Sequence, residues 1–98
     1  MKRFLHVGFN FQGKPLIDEL KPTFDQAEDW LRYAPNCWIV WTDQSPSVWS
    51  DRLRPFLGEK DNLFVCGLDI TRRQGWLPKS SWEWIRKNRT QTAHRRVG

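Results

Sequence analysis

The sequence predicts an α+β domain in which helices cover one face of a sheet and a further short helix follows at the C-terminal end. Three observations carry this reading. Aromatic and branched runs of strand length alternate with segments whose apolar residues recur at helical spacing. Ser45-Pro46 stands where one of those helical segments begins, and Ser80 where another does. Gly, Pro, Asn and Asp cluster between the segments.

The first run, Arg3 to Phe11, places Leu5, Val7, Phe9 and Phe11 on one side and ends at Gln12-Gly13, which predicts a strand. Pro15-Leu16-Ile17-Asp18-Glu19-Leu20 then predicts a helix, with proline where a first turn tolerates it. Pro22 interrupts it, because an interior proline lacks a backbone donor and clashes with the preceding turn. Thr23 with Gln26 can cap a fresh start, putting Phe24, Ala27, Trp30 and Leu31 on one helical face, so the helical region is expected to be bent or split. Arg32 to Asn36 reads as a turn, and Cys37 to Thr42 as a central strand. Ser45-Pro46 caps a second helix carrying Trp49, Leu53, Phe56 and Leu57, which Pro55 bends or ends. After the turn cluster Gly58 to Asn62, Leu63 to Ile70 is a third strand, and Ser80 to Lys87 a short helix. Residues 1–89 are thus expected to form one domain, with a polar, basic and flexible tail over 90–98.

Ninety-eight residues suit one core, with roughly 60–65% of the unfolded chain's surface buried on folding. Seven tryptophans and six phenylalanines are far above the usual share, and aromatics this dense carry core or interface energy. No apolar run reaches the ~18–20 residues of a membrane span, and the start MKRFLHVGFNFQG lacks an apolar signal segment, so a cytoplasmic protein is expected. Cys37 and Cys66 lie inside apolar runs without metal-pair spacing and read as free thiols; His6 and His94 fit no ligand pattern. No metal and no cofactor is expected. Residues 1–71 hold eight Lys/Arg against ten Asp/Glu, a balance of −2, and residues 72–98 hold eight against one, a balance of +7. The charge of +5 therefore belongs to the C-terminal quarter, which opens an anionic partner such as nucleic acid, with a solvated helix face as the plainer alternative.

Asp29-Trp30-Leu31-Arg32-Tyr33, then Asn36 to Ser45, Leu63-Phe64-Val65, Gly75-Trp76-Leu77-Pro78 and Ser81-Trp82-Glu83-Trp84-Ile85 resemble small bacterial SinR-like proteins, in which a WIV-x-TDxS strand end, an LFV strand and a tryptophan-rich piece recur in this order. These are similar to the small subunit of the CRISPR adaptation complex. The resemblance covers residues 1–87. It implies a ferredoxin-like sandwich with an antiparallel sheet, a turn at Pro35-Asn36 joining two strands, and a homodimer. The aspartate that the adaptation subunit carries at the end of its first strand has phenylalanine or asparagine in its place here, in Val7-Gly8-Phe9-Asn10-Phe11. Asparagine is a weak ligand for a hard cation and phenylalanine is none, which speaks against nuclease chemistry.

Asp43 and Asp69, both near strand ends, are the remaining candidates for a catalytic pair, although a turn or capping role explains Asp43 equally well. The leading expectation is a non-enzymatic homodimeric interaction module, with Trp38, Trp41, Trp76, Trp82 and Trp84 at the dimer interface, since Trp38 to Trp41 is apolar on both faces and lacks the interleaved bases of a stacking platform. Trp49, at the head of an apolar helical stripe, reads as core. The first alternative is a nucleic-acid-binding protein using Arg72, Arg73, Lys79, Arg86, Lys87 and Arg89, with Arg95 and Arg96 beyond them. The second is a degenerate metal-dependent nuclease or toxin-like enzyme.

Overall fold

The computed structural model describes residues 1–14 and 16–97, with side chains described as far as residue 89. Four strands and three helices follow one another as β1 (Arg3–Asn10), α1 (Ile17–Phe24), β2 (Asp29–Ala34), β3 (Cys37–Thr42), α2 (Pro46–Leu53), β4 (Asn62–Leu68) and α3 (Lys79–Val97), with one 3₁₀ turn at Arg54–Phe56. The strands form a single sheet in the order β2-β3-β1-β4, and every neighbouring pair is antiparallel. This split βαβ arrangement is the ferredoxin-like α+β sandwich.

The alternation in β1 and β3 builds two cores. Leu5, Val7 and Phe9 of β1 with Trp38 and Val40 of β3 meet Leu20 and Phe24 of α1 and Trp49 and Leu53 of α2. On the other face Phe4, Ile39 and Trp41 meet Ile85 of α3 and Ile70, with Leu77, Trp82 and Trp84 packed around them. Trp38 therefore shares a side with Val40, and Trp41 with Ile39, as period-two alternation requires.

Three expected elements come out differently. Phe24 to Leu31 does not continue as helix: α1 ends at Phe24, two residues after Pro22, and Asp29–Ala34 is strand β2, so Arg32 and Ala34 pair with β3 and only Pro35-Asn36 is left to the turn expected over Arg32 to Asn36. Trp, Leu and Tyr suit a pleated surface, and β3 offers the backbone groups of Ile39 and Trp41 to pair with them. The C-terminal helix is longer than Ser80 to Lys87 and runs to Val97, through a stretch with no Gly or Pro to stop it. The flexible tail expected over 90–98 falls, for its side chains, outside the described residues.

Elsewhere the local signals hold. The Ser45 hydroxyl accepts from the Val48 N–H at 3.2 Å and Pro46 opens α2. Pro55 ends α2 in the 3₁₀ turn. Asp61 closes the turn before β4 by accepting from the N–H groups of Gly58 (2.7 Å) and Gln12 (2.8 Å), which hold its carboxyl below the usual range. Among the described residues no helix is long and apolar enough to cross a membrane.

Candidate nucleic-acid interface

The tryptophans separate by burial, and the division decides which of them a ligand can reach. Trp38 is 2% exposed, stacked on Phe24 at 4.6 Å and covered edge-on by Phe9, with the Arg32 guanidinium 5.2 Å above its ring. Trp41 is equally buried against Phe4, at 4.6 Å. Trp49 is wholly buried, and its indole donates to the Thr42 hydroxyl at 3.1 Å, so it is a core residue. Of the five tryptophans assigned to an interface, Trp38 and Trp41 thus lie inside a single chain. Trp82 and Trp84 are half-buried beside Ile85 on the second face. Trp76 alone projects its whole surface, at 100% exposure.

Trp76 stands in the connection from β4 to α3, with Arg72 and Arg73 before it and Lys79 after it. Ile70 and Leu77 anchor this connection by packing into the second core. Arg73 is half-buried and donates to the Ile70 carbonyl at 3.1 Å, so it braces the segment from within, while Arg72 and Lys79 are exposed. Between the anchors Arg72, Gln74 and Trp76 are exposed.

From Lys79 the basic surface continues along α3. Ser81, Ile85 and Asn88, spaced four and three apart, form its buried face. Lys79, Glu83 and Arg86 consequently line the opposite ridge, with Lys87 and Arg89 flanking it, all exposed. At 1.5 Å per residue Arg86 lies roughly 10 Å and Arg89 roughly 15 Å along the axis from Lys79. Lys87 is engaged, at 3.1 Å from Asp29. Glu83 is the only acid between residues 72 and 89.

Asp43 and Asp69 do not come together. They follow β3 and β4, which lie on opposite sides of β1, about two strand spacings or ~10 Å apart. Each is used locally: the Asp43 carboxylate accepts from the Gln44 amide, and Asp69 accepts from the hydroxyl and N–H of Thr71, which hold its carboxyl low. Asn10, at the end of β1, donates to the Asn62 side chain at 3.3 Å. Among the described residues no group of three or more His, Cys, Asp or Glu is placed to hold a metal ion.

One constellation was not legible in the sequence. On the sheet face beside α3, the His6 ring lies over Gly8, where an added Cβ would come within 3.3 Å of it, and its Nε2 is 2.5 Å from the Tyr33 hydroxyl on β2. Burial pushes Tyr33 up to about 12, aided by the neighbouring Cys37 thiol, and burial lowers His6. Residues 27 apart meet here only because β3 holds β1 and β2 at a two-strand distance. Cys37 and Cys66 are free and half-buried on opposite sides of β1, beyond disulfide reach. At the other end of the sheet an open cleft of about 480 Å³ is floored by Phe11, Leu16 and Phe56 and rimmed by Lys14, Glu59 and Lys60.

No protein-family model, no curated protein and no solved structure matches the chain.

Proposed function

We propose that this protein binds single-stranded nucleic acid, with Trp76 as a stacking platform and Arg72, Lys79, Arg86 and Arg89 as phosphate contacts. The observation that carries this reading is the complete exposure of Trp76 between basic residues. An indole in water is unfavourable, and a base offers it a flat π-face while the phosphates on either side meet Arg72 and Lys79. The lack of interleaved bases that speaks against a stacking platform at Trp38 to Trp41 does not apply to this segment. The role is one of binding without catalysis, in the cytoplasm, and the likeness to SinR-like proteins is retained as the proposed kinship.

Indole fluorescence on titration with single-stranded oligonucleotides tests it. Binding should quench emission, and the quench should be absent in Trp76→Ala. Four phosphate contacts on a single strand give a log–log salt slope of about −3. Affinity that does not change with salt, or that is as strong in Trp76→Ala as in the wild type, refutes the reading. RNA and DNA strands of one sequence distinguish the natural ligand, since only the former carries the 2′-hydroxyl.

A further inference from the structure

We infer that the outer edge of β4 pairs antiparallel with the β4 edge of a second copy, giving a two-fold dimer with one continuous eight-stranded sheet. This surface is independent of the Trp76 segment, and it differs from the aromatic interface that the sequence pointed to.

The direction of each backbone group follows from the ladder. The Phe9 N–H donates to the Asn36 carbonyl, on the β3 side of β1. Because the N–H and C=O of one strand residue point the same way and alternate along the strand, Leu5, Val7 and Phe9 address β3, while Phe4, His6 and Gly8 address β4. Their partners in β4 are Leu68, Cys66 and Phe64. The backbone groups of Leu63, Val65 and Gly67 therefore point away from the sheet. Among the described residues no backbone hydrogen bond from a turn, loop or cap reaches them.

Natural proteins blunt such edges with charge, proline or a bulge. β2, the opposite edge, has all but the proline: its register shifts between Arg32 and Ala34, and it carries Asp29 and Arg32. β4 has none of them. Its seven residues Asn62–Leu68 hold no charge and no proline, and its pairing with β1 is unbroken from Phe4–Leu68 to Asn10–Asn62. Phe64 adds an apolar side chain that is 67% exposed.

The occupant that fits is another β4, because the outward pattern is its own complement under a two-fold axis. With the axis at Val65, Val65 stands opposite the partner's Val65 and Leu63 opposite the partner's Gly67. Every outward N–H and C=O of the three residues then meets a counterpart. Phe64 falls opposite the partner's Cys66 on the same face, which removes its ring from water. Gly67 leaves room for the approach, since nothing lies within 4 Å of where its Cβ would be.

The test is light scattering on the full chain across the micromolar range, with amide hydrogen exchange on the same samples. The mass should approach twice 11.8 kDa. The amides of Leu63, Val65 and Gly67 should gain protection as concentration rises, whereas those of Phe64 and Cys66 are protected at every concentration. Phe64→Lys, at an exposed position that the fold does not need, sets like charges diagonally across the axis and should weaken association at least tenfold. Gly67→Pro removes one outward donor and should do the same. A monomer throughout overturns the inference, and so does a dimer whose 63, 65 and 67 amides exchange freely or that is indifferent to Phe64→Lys.

Discussion

The Asn88 side-chain amide donates to the Asp29 carboxylate at 3.2 Å, joining α3 to the edge strand β2 across 59 residues of chain. Lys87 reaches the same carboxylate at 3.1 Å and the Trp30 N–H donates to it at 2.9 Å. Burial raises the Asp29 pKa, but Trp84, Asn88, Lys87 and the Trp30 N–H outweigh it and the group titrates below the usual carboxylate range. Replacing Asp29 by Ala should cost about 1–3 kcal/mol, since the donors around it lose a charged acceptor. Chemical denaturation measures the loss, and the amides of α3 should lose protection before those of β1. The lowered carboxylate stabilises the fold above its unfolded pKa, and that contribution disappears as pH falls through the folded value, so wild type should lose more stability below pH ~4 than Asp29→Ala.

His6 gives a second pH dependence at milder acidity. Burial lowers its pKa, so the folded state resists the charged ring. Stability from this group is full above the unfolded value of ~6.5 and declines as pH falls through the folded value. Melting temperature should therefore drop between pH 7 and pH 5, and His6→Gln should flatten the drop. An unchanged slope in the variant would contradict the assignment.

Trp49 and Trp41 are both buried, but only Trp49 has a hydrogen bond for its indole, to Thr42, whereas the Trp41 indole N–H is buried with no acceptor among the described residues. Trp49→Phe should cost about 1 kcal/mol more than Trp41→Phe in denaturant unfolding, the net worth of one such bond. Equal losses would mean that volume alone matters at both sites.

Trp76 should separate binding from folding. As a fully exposed side chain it contributes no burial, so Trp76→Ala should leave the unfolding midpoint unchanged. The same change should weaken single-strand binding by about 1–3 kcal/mol, several-fold to over a hundredfold. Calorimetric melting and fluorescence titration on one preparation read both quantities.

Much of this architecture is a local matter, and there the sequence by itself determined the outcome. Period-two alternation in Leu5, Val7, Phe9 and in Trp38 to Trp41 is set by backbone geometry, as are the Ser45 cap, the first-turn Pro46 and the turn around Asp61. The +7 balance of residues 72–98 likewise needs no coordinates. Tertiary structure decided what depends on neighbours far along the chain. Asp29 to Ala34 has apolar residues that serve a helix or a strand, and only the unpaired side of β3 makes it a strand. Seven tryptophans look alike in sequence, yet Trp38 and Trp41 are sealed by helices on opposite faces, while anchors at Ile70 and Leu77 leave Trp76 in water. The His6 contact with Tyr33 and the bare edge of β4 arise from strand order β2-β3-β1-β4. Strand order is chosen by the burial of two cores together, a sum over long-range contacts that no local window of residues contains.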